Sequence, residues 1–293
     1  MLRWRILSRI LFLFSAVWVL FPGSSAVAAV ESCYDRISAD SDRPAPERVL
    51  YVLVDQTTPW TEKEYRKKQK TINPVSKHIA RHISQLASNW PKRGDIVSII
   101  TFSAISQGRD VAEVLVIQAD GLPPESAQDR WRQSQIRAFK ACFRNQRLKA
   151  RIAIGRGIRN VLEHADGSIR RSEILQSMHR FTTTHLKRYP NADITLLIAS
   201  DFLENSSVMS FYRKGNTFEV DDSAALERTN QARLIPDFRG AKVFGVGLGL
   251  GSDLFKSFKK TQSVADFWEG YFKHGKGNLI ELGRPMLQRK NLD

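Results

Sequence analysis

Val49-Leu50-Tyr51-Val52-Leu53-Val54, followed at once by Asp55-Gln56-Thr57-Thr58-Pro59, is the stretch on which the reading of this chain turns. A continuous apolar run without alternation marks a strand covered on both faces, as in parallel sheets flanked by helices. Downstream, Pro74 opens a helix in which Val75, Ile79, Ile83, Leu86 and Trp90 recur at helical spacing. Two further strands are expected at Asp95–Phe102 and Val111–Ile117, joined by a turn around Gln107-Gly108. A loop with Pro123-Pro124 leads to a helix ending near Phe143, and another helical stretch runs from Arg151 to Glu163. Ser172 caps the next helix, whose apolar stripe is Ile174, Leu175, Met178, Phe181 and Leu186. Buried strands follow at Ile194–Ala199 and Ala241–Val246, then a helix over Ser263–Phe272 and a short strand at Leu279–Leu282. Strands alternating with helices predict an α/β fold, a doubly wound and mostly parallel sheet with helices on both faces. The expected strand order is 3-2-1-4-5-6, with the first and fourth strands as neighbours.

The 293 residues carry 45 Lys+Arg against 30 Asp+Glu, a formal net charge of +15, and 42% are hydrophobic. That apolar share excludes a mostly disordered chain. Two cysteines exclude a disulfide-dense scaffold and a four-cysteine zinc module. Residues 31–47 are polar and contain Pro44 and Pro46, so residues 29–47 read as a linker ahead of a single α/β domain over 48–293.

The first 28 residues read as a secretory signal peptide. Arg3, Arg5 and Arg9 precede an apolar run from Ile10 to Phe21, then Pro22-Gly23, then Ala26-Val27-Ala28 as an A-x-A cleavage site. A retained membrane anchor is the competing reading, but a dozen apolar residues fall short of the about 20 that a span needs. Export to the periplasm would place Cys33 and Cys142, the chain's only thiols, in an oxidising space, where one disulfide is expected. Outside the inner membrane, a basic surface points to anionic lipid headgroups or an acidic partner, and any single run such as Lys67-Lys68-Gln69-Lys70 reads as a solvated face. Nucleic acid is disfavoured, because the chain has no basic motif interleaved with aromatics.

Two buried strands end in an aspartate, Asp55 and Asp201. Ligands of such sheets sit beyond the carboxyl ends of the strands, and carboxylates there suit a hard cation. The competing reading is that both acids simply cap the helices that follow. Asp221-Asp222 reads as an exposed helix cap, and Gly245, Gly247, Gly249 and Gly251 as a tight strand exit rather than a dinucleotide loop. His78 and His82 stand one helical turn apart without a third ligand, which favours an exposed face.

The order of elements and these residues together resemble the von Willebrand factor A family. Its metal-ion-dependent adhesion site uses an Asp-x-Ser-x-Ser turn, a hydroxyl from a central loop, and an Asp after the fourth strand. Asp55 matches the turn's aspartate, Thr57 replaces its first serine with another hydroxyl, and Pro59 stands in place of the second. Ser172 looks like the central hydroxyl and Asp201 like the last acid. The Phe244-Gly245-Val246-Gly247 strand end and Phe267-Trp268-Glu269-Gly270-Tyr271-Phe272 also look like this family. The resemblance implies a Mg²⁺ site built on Asp55, Thr57, Ser172 and Asp201, weakened by Pro59. It also implies a non-enzymatic, protein-binding module of the cell envelope. Two alternatives compete: a basic module binding a membrane surface or nucleic acid, and a hydrolase using Asp55 as nucleophile. The second lacks the general acid that such chemistry wants two residues on, where Thr57 stands.

Overall fold

A computed structural model describes residues 30–60 and 74–293. The expected signal peptide and the Lys67-Lys68-Gln69-Lys70 run lie outside these residues.

The decisive run forms β1 (Arg48–Asp55), buried from Val49 onward. Its side chains alternate between two cores. Val49, Tyr51 and Leu53 pack with Met178, Phe181 and Trp268, while Leu50, Val52 and Val54 pack with Ile79, Ile83, Ile154 and Ile158. Burial of each such side chain stabilises the fold by about 1.5–3 kcal/mol, so the absence of alternation in the sequence reflects two covered faces. The other strands of the same sheet are β2 (Ile96–Phe102), β3 (Ala112–Gln118), β4 (Asp193–Ala199), β5 (Lys242–Val246) and β6 (Asn278–Leu282), and Tyr212–Arg213 pairs with Asn216–Thr217 in a separate short hairpin. Strands β1 to β6 follow the expected order 3-2-1-4-5-6. All pair in parallel except β3, which runs antiparallel to β2 because the loop joining them is too short for a crossover helix.

Helices α1 (Pro74–Asn89) and α2 (Gln133–Glu163) cover one face; α3 (Ile174–Thr184), α4 (Asp222–Gln231) and α5 (Phe258–His274) cover the other. Helix α2 is one continuous element of 31 residues, where two helices were expected. The apolar signal lapses at the polar stretch Arg144–Lys149, but no Gly or Pro breaks the chain there, and Gln146 and Ala150 carry the buried stripe through. Among the described residues, no helix is long and apolar enough to cross a membrane.

The segment expected to be a linker is packed. Cys33, Tyr34, Ile37 and Ala39 are buried against Ala127, Trp131 and Phe139 in a third cluster. Cys33 and Cys142 are bridged, with Cα atoms 5.6 Å apart across a sequence separation of 109. Asp120 fastens the same segment by accepting from the Ser32 hydroxyl at 3.0 Å and the Cys33 amide at 2.6 Å.

The chain leaves β5 through Gly247, whose φ is +105°. A Cβ there would lie 2.7 Å from the Ser200 carbonyl oxygen and 2.8 Å from the Trp60 ring. Gly247→Ala should therefore destabilise the protein by about 2 kcal/mol or more, read as a lower denaturant midpoint at unchanged slope. The glycine-rich exit thus has the expected role.

Candidate functional site

The sheet register builds the site. Asp55 lies opposite Phe102 on β2, and Val54 lies opposite Ala199 on β4. The residues just past the ends of β2 and β4, Ser103 and Ser200, therefore flank Asp55. Asp55 is fully buried. Its Oδ1 accepts from the Thr57 amide and the Thr57 hydroxyl, each at 2.7 Å, and from the Ser103 hydroxyl. Its Oδ2 accepts from the Ser200 hydroxyl at 2.6 Å. The Trp60 indole N–H closes the turn by donating to the Asp55 carbonyl at 2.9 Å.

Thr57 extends this network outward, with its Oγ1 3.0 Å from the Ser172 Oγ. A hydroxyl that donates its proton to a buried carboxylate turns its lone pairs away from that carboxylate. Asp55 thus aims the Thr57 oxygen toward Ser172. Asp201 receives the Leu203 amide on its Oδ1 at 3.0 Å, and its own amide donates to the Thr58 hydroxyl at 3.2 Å. Thr57, Ser172 and Asp201 line one cleft of about 600 Å³, together with Pro59, Arg170 and Tyr212. Burial pushes the Tyr212 hydroxyl well above its ordinary pKa, with the negative charges of Asp201 and Asp55 adding to the shift.

The expected site residues therefore converge, but the local roles differ from the expected ones. Neither Asp55 nor Asp201 caps a helix. Each binds the amide two residues ahead, as aspartates do in Asx turns. Ser172 does not cap α3 either. The helix begins at Ile174 after Glu173, and Ser172 exchanges backbone hydrogen bonds with Asn205 at 3.1 and 2.9 Å. The capping role falls to Glu204, whose Oε2 accepts from the Leu175 amide at 3.1 Å. Ser103, Ser200 and Glu204 were not anticipated. For the two serines, the available signal was that each is the first residue after a strand adjoining β1.

Glu204 is fully buried, and among the described residues its Oε1 finds no hydrogen-bond partner of good geometry. Burial pushes its carboxyl up to about 8. A carboxyl raised in this way favours folding below its unfolded pKa of about 4.3, and that contribution is lost as the pH rises through the folded value. This contribution should therefore fade between about pH 4 and pH 8, and Glu204→Gln should flatten the dependence. Chemical denaturation across that range is the check, and an unchanged slope in the variant would reject it.

Elsewhere, Asp221 caps α4 by accepting from the Ala224 amide at 3.0 Å, as expected. His78 is exposed, and burial pulls the pKa of His82 down. Among the described residues, no group of three or more His, Cys, Asp or Glu side chains is placed to hold a metal.

The fold and this cleft define the chain as a three-layer α/β protein whose site of interest lies at the carboxyl edge of the sheet. No protein-family model matches it, and neither does any curated protein. Among solved structures it is similar to an aerotolerance-related membrane protein from Bacteroides fragilis, at 14% identity and a TM-score of 0.35, over 81% of this chain and 92% of that one. It is also similar to the pilus adhesin SpaC from Lactobacillus rhamnosus GG, at 12% identity and a TM-score of 0.36, over 78% of this chain and 27% of that one. A third similarity is to the human COPII-coat protein Sec24c, at 8% identity and a TM-score of 0.30, over 81% of this chain and 30% of that one.

Proposed function

We propose that this chain is a von Willebrand factor A-like module of the cell envelope that binds a protein partner without catalysing a reaction. In this reading a weakly held Mg²⁺ at Thr57, Ser172 and Asp201 receives an acidic side chain of the partner. The observation that carries it is the Thr57–Ser172 hydroxyl pair, 3.0 Å apart at the cleft and backed by the buried Asp55. Neighbouring ligands of an octahedral Mg²⁺ with bonds of 2.0–2.1 Å stand about 2.9 Å apart, close to the spacing of this pair. Hard oxygen donors with few carboxylates leave several positions to water, which favours weak binding and completion by a partner's carboxylate. A bound Mg²⁺ would supply positive charge at the cleft, while Asp55 orients the hydroxyls and Asp201 adds negative charge beside them.

Among the described residues, the cleft lining holds no cysteine or histidine and no serine paired with a base, which supports binding over nucleophilic catalysis. Asp55 itself is buried with both oxygens engaged, which suits a carboxylate that orients hydroxyls and not one that attacks. The disulfide agrees with an exported, periplasmic setting.

The test is capture of envelope proteins by the immobilised chain in Mg²⁺ and in chelator, with Asp201→Ala alongside. Capture should be lost in chelator and in the variant, while the variant keeps the wild-type melting temperature. Equal capture under all conditions would overturn the metal-dependent reading.

A further inference from the structure

We infer that the outer face of α2 is a docking surface for an anionic lipid bilayer, separate from the cleft. Residues 130–162 hold ten Lys and Arg and no Asp or Glu, and the one acid of α2 is the exposed Glu163 at its C-terminal end. Eight of these cations lie within α2: Arg137, Lys140, Arg144, Arg147, Lys149, Arg151, Arg156 and Arg159. All eight are exposed. None forms an ion pair among the described residues, although eleven ion pairs occur elsewhere in the structure. Their polar contacts are to neutral groups, such as Arg147 to the Pro91 carbonyl at 3.2 Å and Arg159 to the Gly155 carbonyl at 3.3 Å.

Two aliphatic side chains interrupt this charge on the same face. Leu148 is 60% exposed and Ile152 is 46% exposed. They are one helical turn apart, so they form one apolar spot opposite the buried stripe of Ala150, Ala153, Ile154 and Ile158. Helical spacing sets Arg144 and Arg151 beside Leu148, and Lys149, Arg156 and Arg159 beside Ile152. The result is a rod of about 46 Å with an apolar centre and long cationic arms.

An anionic bilayer fits this pattern better than other polyanions do. Aliphatic side chains of a surface helix sink to the boundary of headgroups and acyl chains, while Lys and Arg stems lie along it and carry their charges to the phosphates. Single-stranded nucleic acid would be met by stacking aromatics, and the exposed face has none. A protein interface also accepts arginine, but it builds its core on aromatic anchors, which this exposed face lacks. Each cation held near an anionic surface contributes roughly a fivefold gain in partitioning, so no single arginine is decisive but the face as a whole is.

The test uses the full chain with its native disulfide, carrying an environment-sensitive dye on Leu148→Cys. Vesicles of phosphatidylcholine alone are compared with vesicles that also contain phosphatidylglycerol. The dye should shift to shorter wavelength only with the anionic vesicles, and the shift should fade as salt is added. Replacing Arg144, Lys149, Arg156 and Arg159 together by Gln should weaken the lipid response several hundredfold, with an unchanged melting temperature. The readout reports only the face around residue 148, so lipid affinity elsewhere in the chain does not mimic it. The proposal is overturned if the chain sediments with anionic vesicles while the dye stays unshifted, or if the quadruple variant responds like wild type. It is also overturned if polyglutamate or DNA shifts the dye and anionic vesicles do not.

Discussion

Replacing both Cys33 and Cys142 by serine should lower the free energy of unfolding by about 4–5 kcal/mol, with the melting temperature falling by roughly 10–15 °C. The bridge spans a sequence separation of 109, so breaking it frees a long loop in the unfolded chain. In the folded chain it ties residues 30–47 to the first third of α2, beside a cluster of Tyr34, Trp131 and Phe139 that is distinct from the two sheet cores. That cluster is small. With the bridge gone it should open first, exposing Trp131 before the sheet melts. Denaturation followed by tryptophan fluorescence and by circular dichroism should then give separated transitions for the variant and coincident ones for wild type. Unchanged stability on removing both thiols would contradict the account of this segment.

The second large effect is expected at Asp55. Four donors converge on this buried carboxylate: the Thr57 amide and the hydroxyls of Thr57, Ser103 and Ser200. Asp55→Ala strips all of them of their acceptor in a site closed to water. Each unsatisfied buried donor costs about 1–3 kcal/mol, and the hydroxyls can turn to find other acceptors, so a loss of about 3–5 kcal/mol is expected. Asp55→Asn keeps the shape but offers a donor where donors already point, and should fall between the two. Asp201 differs, because it is only partly buried and lies at the cleft. Asp201→Ala should change stability by less than about 1 kcal/mol. The pair of variants therefore separates the residue that builds the site from the one that faces a ligand. Equal destabilisation by both would contradict that division.

The features legible in the sequence were those encoded locally. A strand buried on both faces leaves a continuous apolar run, so β1 and the acid that ends it stand out. Two thiols in one chain leave a single pairing, and Cys33–Cys142 follows. The features that stayed hidden depend on contacts remote in sequence. Ser103 and Ser200 acquire meaning only when the register sets β2 and β4 on either side of Asp55. Ser172 has the composition of a helix cap, yet Glu204 caps α3, leaving the serine to face Thr57. Residues 29–47 look like a tether because their polar composition masks Tyr34 and Ile37, which are buried only through the partners that α2 brings. In α2 itself, the polar middle suppresses the apolar period while the backbone continues.

The central claim is that the hydroxyl pair beside Asp55 can hold a divalent cation. Mn²⁺, which favours the same oxygen ligands as Mg²⁺, reports binding directly through loss of the free-ion signal in electron paramagnetic resonance. Titration of wild type, Ser172→Ala and Asp201→Ala should show one weak site in wild type, displaced by excess Mg²⁺, with at least tenfold lower affinity in each variant. Identical titrations for all three chains, or no bound Mn²⁺ in wild type, would contradict the account.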